Sequence, residues 1–272
     1  MLLAIDVGNT NTCLGVFEGS TLRCELRLST QRGWTRDEVA ISIERALALT
    51  GLGFQDLDDA VVASVVPPAL APLLRALARY ARLDPLVIEP GIDTGMPILY
   101  EHPEEVGADR LVSAFAAHHR YGRDPAGAPQ GLIVVDFGTA TTFDVISPAP
   151  AYLGGVIAPG VGISADALFT RTAKLPRVEI RRPARVVGRN TVSALQSGLF
   201  FGYVGLVEGL LRRLKDDVGW PSVVIATGGL AREIALDSPL IDQVDDALVL
   251  DGLRLLHARN REGSGPRDRD SR

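Results

Sequence analysis

The sequence predicts an α/β protein made of two lobes. Its 272 residues are about twice the length of a typical domain of ~100–150 residues. Segments with strand character alternate with segments of helical periodicity along the whole chain. In addition, a strand–turn–strand unit occurs twice, with its two copies about 130 positions apart. A repeat of this kind in both halves indicates duplicated lobes.

Each copy of the repeated unit has an apolar run, a turn rich in glycine and hydroxyl residues, and a returning apolar stretch. The three parts are Leu2–Ile5, 6–12 and Leu14–Phe17 in the first half, and Gly131–Val135, 136–142 and Phe143–Ile146 in the second. Both turns begin with an aspartate, Asp6 or Asp136, followed by a glycine two positions later. Two strands joined by such a turn predict a β-hairpin in each lobe.

The remaining elements follow from periodicity and from Gly and Pro breaks. Helices are predicted at Asp37–Leu49, Ala69–Ala81, Ala108–His119, Ser193–Lys215 and Gly252–Asn260. Further strands are predicted at Ala60–Val66, Pro85–Ile88 and Ser222–Ala226. The segment Tyr121–Gln130 is rich in Gly, Pro and Asp, so the expected division is an N-terminal lobe of 1–122 and a C-terminal lobe of 123–260. The polar stretch 261–272 has almost nothing to bury and is expected to be disordered.

Composition argues against several classes of protein. A net charge of −5 and a pI near 5.4 do not provide the basic face that binds nucleic acid. Cys13 and Cys24 are too few for a disulfide framework or a zinc site, and they fit a reducing compartment. No apolar run reaches the ~18 residues of a membrane span, and Met1 leads directly into an expected strand. We therefore expect a cytoplasmic protein with no membrane or nucleic-acid partner.

The two turns have the chemistry of a phosphate site. Glycine lets backbone N–H groups approach an anion closely, and Thr and Asn side chains add further donors. Asp6 and Asp136 end buried strands and suit hydrated Mg²⁺, which needs only a few carboxylates. A single turn of this type is more often an ordinary hairpin. The repeat in both halves, together with Thr227-Gly228-Gly229 after a third strand, favours a nucleotide site gripped by both turns.

Other common catalytic motifs are missing from the sequence. Ala173 and Leu214 precede the only two lysines, so there is no Walker A loop. The patterns G-x-G-x-x-G, H-E-x-x-H and G-x-S-x-G do not occur either. The segment Gly107-Ala108-Asp109-Arg110 allows two interpretations. Asp109 and Arg110 could form a surface ion pair at the start of a helix, or Asp109 could be a general base while Arg110 binds a carboxylate or phosphate.

Taken together, these motifs resemble the signature set of the type III pantothenate kinases, in unbroken order over about residues 1–260. The matching segments are Asp6–Thr10, Ser64–Pro68, Gly107–Arg110, Asp136–Thr142, Gly154–Gly160 and Asn190–Ala194. The resemblance implies two actin-like (ribonuclease H-like) lobes of mixed sheet plus helices, with the nucleotide cleft between them. It also implies ATP-dependent phosphorylation of the primary hydroxyl of pantothenate, the first step of coenzyme A biosynthesis.

The same resemblance implies roles for individual residues. It assigns ATP to Asp6, Val7, Gly8, Asn9, Thr10, Asn11, Thr12, Cys13 and Thr139. It assigns pantothenate to Tyr100, Gly107, Ala108, Asp109, Arg110 and Thr191, with Thr191 coming from the neighbouring subunit of a homodimer. Asp109 is the implied proton acceptor, Asp136 the ligand of a monovalent cation (K⁺ or NH₄⁺), and Asp6 a candidate ligand of Mg²⁺. Cys13 stands where some actin-like kinases have a lysine, so no charged contact to phosphate is expected from that position.

Two alternative hypotheses remain open from the sequence. One is another kinase on the same scaffold, for a sugar or acetate. The other is a non-catalytic regulatory protein, such as an accessory factor for transcription, although the acidic pI weakens direct DNA binding. A panel of hydroxyl acceptors separates the first alternative from a pantothenate kinase. Binding to a protein or DNA target without phosphorylation of pantothenate would support the second.

Overall fold

The computed structural model describes residues 1–262, which divide into two compact units. The first unit is Met1–Ala116 together with residues 247–262, and the second is Ala117–Asp246. This division differs from the expected one because the last helix packs within the first unit. Arg261, expected to begin a disordered tail, belongs to that helix, and the rest of the predicted tail from 263 onwards lies outside the described residues.

Ten strands and seven α-helices form the described chain, joined by three short 3₁₀ or π turns. The strands are β1 (Leu2–Val7), β2 (Asn11–Glu18), β3 (Thr21–Ser29), β4 (Asp59–Ser64), β5 (Leu86–Val87), β6 (Gly131–Phe137), β7 (Ala140–Ile146), β8 (Tyr152–Pro159), β9 (Ser222–Gly228) and β10 (Gln243–Val244). The helices are α1 (Arg36–Ala48), α2 (Pro67–Ala76), α3 (Ala108–Tyr121), α4 (Val161–Arg171), α5 (Thr191–Val218), α6 (Ala231–Ala235) and α7 (Leu248–Glu262).

The two sheets have the same topology. The first has the order β3-β2-β1-β4-β5, and the second has β8-β7-β6-β9-β10. In each, the first three strands are antiparallel, and the central strand then pairs in parallel with the strand that follows a crossover. Equivalent turns therefore join β1 to β2 and β6 to β7. The predicted duplication of a mixed-sheet lobe is confirmed.

The first unit buries both faces of its sheet. One face packs on α1 and α2 through residues such as Ile5, Ile43 and Leu73. The other face packs on α3 and α7 through residues such as Val61 and Leu253. Gly252 of α7 allows a close crossing with α3, since a Cβ there would lie 2.7 Å from the carbonyl oxygen of Val112. This packing explains why α7 belongs with the first sheet.

The second unit is built around α5, which packs on β6, β7 and β9. Asn190 begins this helix with a capping box in which its Oδ1 accepts the Ser193 N–H at 2.9 Å, and Gly219 ends it at φ +71°. By length and composition α5 could cross a membrane, but 44% of its most apolar window is buried inside the protein. Phe200, Val207 and Leu211 place it as a core helix of this unit.

Candidate active site

The turn between β1 and β2 is held from behind by Thr30, the residue that follows β3. The Thr30 N–H donates to the carbonyl oxygen of Thr10 at 2.9 Å, and the Thr30 hydroxyl donates to that of Gly8 at 2.7 Å. The Gly8 N–H donates across the turn to the carbonyl oxygen of Asn11 at 3.0 Å. A Cβ on Gly8 would lie 3.0 Å from that same oxygen, so the turn is tight enough to favour glycine.

Side chains of this turn face solvent, while the strand residues beside it are partly covered. Asn9, Thr10 and Asn11 are exposed. Asp6 is half-buried and lies opposite Cys13 in the antiparallel pair. Burial, followed by the negative charge of Asp6, raises the pKa of the Cys13 thiol, so this side chain stays neutral at physiological pH. The turn therefore offers backbone N–H groups, amides and hydroxyls to an anion, with one carboxylate at its base.

Asp109 lies in the first turn of α3 with its carboxylate packed against the backbone. Its Oδ1 accepts the Arg110 N–H at 2.8 Å. A Cβ on Gly107 would lie only 2.5 Å from Asp109 Oδ1, so the glycine makes the room that the carboxylate occupies. Burial raises the pKa of Asp109 above that of an ordinary carboxyl, against the opposing effect of the Arg110 N–H and charge. A half-buried carboxylate with a raised pKa is typical of a general base.

The same end of the first sheet carries both Asp109 and the first turn. The Val65 N–H donates to the carbonyl oxygen of Val7 at 3.1 Å, which extends the β1–β4 pairing past the end of β4. The Cγ1 of Val65 in turn lies 3.8 Å from the position of a Cβ on Gly107. Of the predicted residues, the structure therefore brings Asp6–Cys13 and Gly107–Arg110 to one edge of the first unit.

The side chains predicted to bind pantothenate differ in exposure and in position. Arg110 is buried, with 7% of its surface exposed. Tyr100 is half-buried in the loop that precedes α3 in the first unit. Thr191 is an exposed first residue of α5, in the second unit.

The second turn, between β6 and β7, is bordered by glycines that leave no room for side chains. Gly228, at the end of β9, has φ +91°, and a Cβ there would lie 2.5 Å from Asp136 Oδ1 and 2.7 Å from the Phe137 N. A Cβ on Gly160 would lie 2.2 Å from the carbonyl oxygen of Thr139. Asp136 is half-buried, and Thr139 is exposed at the tip of the turn. Gly228 thus forms a close cradle against the Asp136 carboxylate, while Gly160 packs against the backbone at the tip of the turn.

Tyr203 of α5 supports this second turn from the core. Its phenol shares a hydrogen bond with the Thr141 hydroxyl and accepts the N–H of Val161, the first residue of α4. Burial, with a further contribution from the Asp136 charge, raises the pKa of Tyr203 to about 12. The phenol is therefore a neutral support at physiological pH. It connects the start of β7 to the N-terminus of α4.

Thr30 and Tyr203 were not predicted as site residues, and neither belongs to a motif that marks the turn. Thr30 lies 18 positions after Thr12, and the hydroxyl oxygens of the two residues are 2.9 Å apart. Tyr203 lies 62 positions after Thr141. Gly228 and Gly160, by contrast, stand in two segments, Thr227-Gly228-Gly229 and Gly154–Gly160, that the sequence had already marked.

Comparison with protein families gives a match to the model of type III pantothenate kinase over residues 2–213. Among curated proteins, the type III pantothenate kinase of Anaeromyxobacter sp. (strain Fw109-5) is 53% identical over 261 residues, which cover 96% of this chain and 100% of the relative. The type III pantothenate kinase of Myxococcus xanthus (strain DK1622) is 50% identical over 260 residues, which cover 96% and 99%.

Solved structures give a fold likeness at much lower identity. A Campylobacter jejuni protein described as a Baf family transcriptional activator matches with a TM-score of 0.56 at 19% identity, over 96% of this chain and 99% of that one. The ethanolamine utilization protein EutJ of Carboxydothermus hydrogenoformans matches with a TM-score of 0.53 at 15% identity, over 93% and 89%. These likenesses concern the fold alone.

The family match decides among the hypotheses that the sequence had left open, since it covers both lobes and the relatives share half of the residues. The repeated mixed sheets with their helices confirm the two-lobed α/β fold class that the resemblance implied. The chain belongs to the type III pantothenate kinases, the ATP-dependent phosphotransferases that phosphorylate pantothenate in coenzyme A biosynthesis.

Proposed function

We propose that Asp109 is the proton acceptor in the phosphorylation of pantothenate. The observation that carries this role is the half-buried carboxylate at the start of α3, fitted into the space left by Gly107 and held by the Arg110 N–H at 2.8 Å. Burial raises the pKa of Asp109, which makes this carboxylate a stronger base than an exposed one.

The reaction then needs little covalent chemistry from the protein. The oxygen of the primary hydroxyl bonds to the γ-phosphorus of ATP as its proton passes to Asp109. The bond from that phosphorus to the oxygen bridging to the β-phosphate breaks, and ADP leaves with that oxygen. Positioning and charge neutralisation supply most of the rate acceleration in phosphoryl transfer. The residues around Asp109 must therefore mainly hold the two substrates in line.

For ATP we assign the first turn, Asp6 to Cys13, together with Thr139 of the second turn. The exposed Asn9, Thr10 and Asn11 and the tight backbone of Gly8 suit close contact with phosphate oxygens. Asp6, half-buried at the base of the turn, fits Mg²⁺, which is often held by one or two carboxylates plus nucleotide phosphates. When bound, this ion neutralises the charge that develops on the transferring phosphoryl group.

Asp136 is assigned to a monovalent cation, K⁺ or NH₄⁺. The fit rests on the cradle described above, in which Gly228 approaches the carboxylate so closely that a Cβ there would lie 2.5 Å from Asp136 Oδ1. The Asp136 carboxylate would supply one negatively charged oxygen ligand to such a cation. Backbone carbonyl oxygens of the surrounding turns are suitable additional ligands for a hard cation.

For pantothenate we assign Tyr100, Gly107, Ala108, Asp109, Arg110 and Thr191. Pantothenate carries a carboxylate, and Arg110 offers planar donors that match carboxylate geometry. Thr191 lies on the second unit, and we assign it to the site of a neighbouring subunit in a homodimer. Its exposure at the start of α5 suits contact with another copy of the chain.

The surface of the second unit supports the homodimer. Large apolar side chains are exposed on β8, on α4 and around the start of α5. They are Ile157, Ile163, Leu168, Phe169, Val186, Val187 and Val192. Apolar side chains in such number are typical of a protein interface. Light scattering should give twice the chain mass of 29.0 kDa, and a monomer that retains full activity would contradict this part of the proposal.

The remaining assignment is to the cytoplasm, where ATP is available and where the two free thiols, Cys13 and Cys24, stay reduced. One assay tests the cofactor proposals together. ADP release is measured with ATP, Mg²⁺ and pantothenate, with and without K⁺ or NH₄⁺, and with sugars in place of pantothenate. We expect release only with pantothenate and a strong increase with the monovalent cation. Full activity without any monovalent cation would contradict the role of Asp136.

A further inference from the structure

Thr30 connects three residues of the first turn to the end of β3. Its N–H donates to the Thr10 carbonyl oxygen at 2.9 Å, and its hydroxyl donates to the Gly8 carbonyl oxygen at 2.7 Å. The Thr12 hydroxyl lies 2.9 Å from the same Thr30 oxygen. A hydroxyl has only one proton, and that of Thr30 is given to Gly8. Thr12 must therefore be the donor to Thr30, which fixes the direction of the whole chain of hydrogen bonds.

These bonds determine which way the backbone donors of the turn point. In a planar trans peptide the C=O and the following N–H point in opposite directions. Because Thr30 draws the Gly8 carbonyl back towards β3, the N–H of Asn9 is directed away from Thr30. That direction is the one in which a phosphate would receive it. Without the Thr30 hydroxyl, the Gly8 carbonyl loses this hydrogen bond, and the orientation of the Gly8–Asn9 peptide is less constrained.

We propose that Thr30 is a positioning residue for the phosphates of ATP, acting through the Gly8–Asn9 peptide. This inference rests on the proposed assignment of Asp6–Cys13 to ATP. Thr30 need not touch the nucleotide, and nothing in the local sequence marks it. A purely structural role, in which Thr30 only fastens β3 to the hairpin, predicts a loss of stability without a selective loss of nucleotide affinity.

The surroundings of Thr30 allow a clean substitution. It is half-buried and borders a recess of the first unit that is lined mainly by apolar groups. The neighbours there include Val7, Trp34, Val39, Ile43 and Leu73. Valine has nearly the shape of threonine and should be accommodated beside them. Thr30→Val therefore removes the hydroxyl with little change in packing, and Thr30→Ser keeps the hydroxyl.

The test compares these two variants with the wild type and with Thr50→Val. Thr50 donates a similar side-chain hydrogen bond, 2.8 Å to the Leu47 carbonyl oxygen, but lies at the end of α1 outside the turn. Thr30→Val should raise the KM for ATP and the Kd for ADP, measured by calorimetry, about tenfold, as expected for the loss of two hydrogen bonds. The KM for pantothenate should stay within about twofold. Thr30→Ser should restore nucleotide affinity, and Thr50→Val should leave it unchanged.

Two results would overturn the inference. In the first, Thr30→Val keeps the wild-type KM for ATP and Kd for ADP. In the second, it weakens both substrates equally and only in step with a lowered unfolding temperature, as a structural role predicts. Gly8→Ala distinguishes a failure of the Thr30 role from a failure of the ATP assignment. A Cβ on Gly8 would lie 3.0 Å from the Asn11 carbonyl oxygen, so this substitution disturbs the turn directly, without changing Thr30. If Gly8→Ala also leaves nucleotide affinity unchanged, the assignment of the turn to ATP fails, and the role of Thr30 fails with it.

Discussion

Replacing Asp109 by asparagine tests the catalytic proposal and makes a second, opposite prediction for stability. Asparagine has the size of aspartate, and its Oδ1 can still accept the Arg110 N–H that Asp109 accepts at 2.8 Å. The asparagine side chain also fits the space beside Gly107, which a Cβ at position 107 would otherwise fill. The substitution therefore removes the charge and the basic oxygen while leaving the geometry of the site intact.

The expected loss of activity follows from the role of a general base. Such a group contributes about 10²–10⁴-fold to the rate, so kcat should fall by that factor, which corresponds to about 3–5 kcal/mol of transition-state stabilisation. The KM for ATP should change little, since Asp109 is not assigned to the nucleotide. A coupled ADP-release assay at saturating pantothenate measures both quantities.

The same substitution should stabilise the fold at neutral pH. Burial raises the pKa of Asp109 in the folded protein above the ordinary value of 3.8, so the folded state holds this proton more tightly than the unfolded chain does. Wild-type stability must therefore fall as pH rises from the unfolded pKa through the folded one. Asp109→Asn has no such proton, so its advantage in unfolding temperature should grow as the pH rises above the unfolded pKa of 3.8 and should vanish as the pH falls towards that value.

Glu105→Gln is the matched control for both measurements. Glu105 is an exposed carboxylate four residues before Asp109, in the short turn that precedes α3. Its neutralisation should leave kcat and the unfolding temperature unchanged. The reasoning is refuted if Asp109→Asn retains a kcat within about threefold of the wild type. It is equally refuted if Asp109→Asn is less stable than the wild type at pH 8, because burial would then not be what raises the pKa of Asp109.

Two further predictions concern the pH profile and the second turn. Because burial raises the pKa of Asp109, kcat should fall on the acid side of its pH profile with an apparent pKa above the ordinary carboxyl value of 3.8. An apparent pKa at or below 3.8 would contradict the role of Asp109 as the base. Gly228→Ala should lower the unfolding temperature by about 3–10 °C and also lower kcat, since alanine is strained at φ +91° and its Cβ meets Asp136. The control Gly229→Ala, where a Cβ meets nothing within 4 Å, should do neither, and equal effects of the two would rule out the cradle.

The elements that the sequence predicted best are those with a strong local signal. The buried runs at Leu2–Ile5 and Gly131–Val135 and the amphipathic helix beginning near Asp37 were all found, with ends that moved by three residues or fewer. The edge strand β3 was not predicted, although Leu22, Cys24, Leu26 and Leu28 alternate with polar residues along it. Alternation of half-buried positions is a weaker signal than a continuous apolar run.

The position of α7 illustrates what local patterns leave undetermined. Its helical periodicity was recognised, but its place in the first unit depends on Gly252 crossing α3 beside Val112, about 140 positions earlier. Sequence order placed it instead in the second lobe. The supports of the turns have the same character, since Thr30 and Tyr203 act through hydrogen bonds to residues far along the chain. Their residue types are ordinary, and only the fold brings them to the turns.

The two turns also show how one topology carries two kinds of chemistry. Both connect the central strand of a sheet to its antiparallel neighbour, and both begin with a half-buried aspartate. The first turn is held by a side chain, Thr30, which fixes carbonyl groups and so turns N–H donors outward. The second is bordered by Gly160, which packs against the backbone of the turn, and by Gly228, which packs against the Asp136 carboxylate. Outward donors favour an anion, while a carboxylate beside closely packed backbone favours a cation. On this basis we propose the phosphate role for the first turn and the cation role for the second.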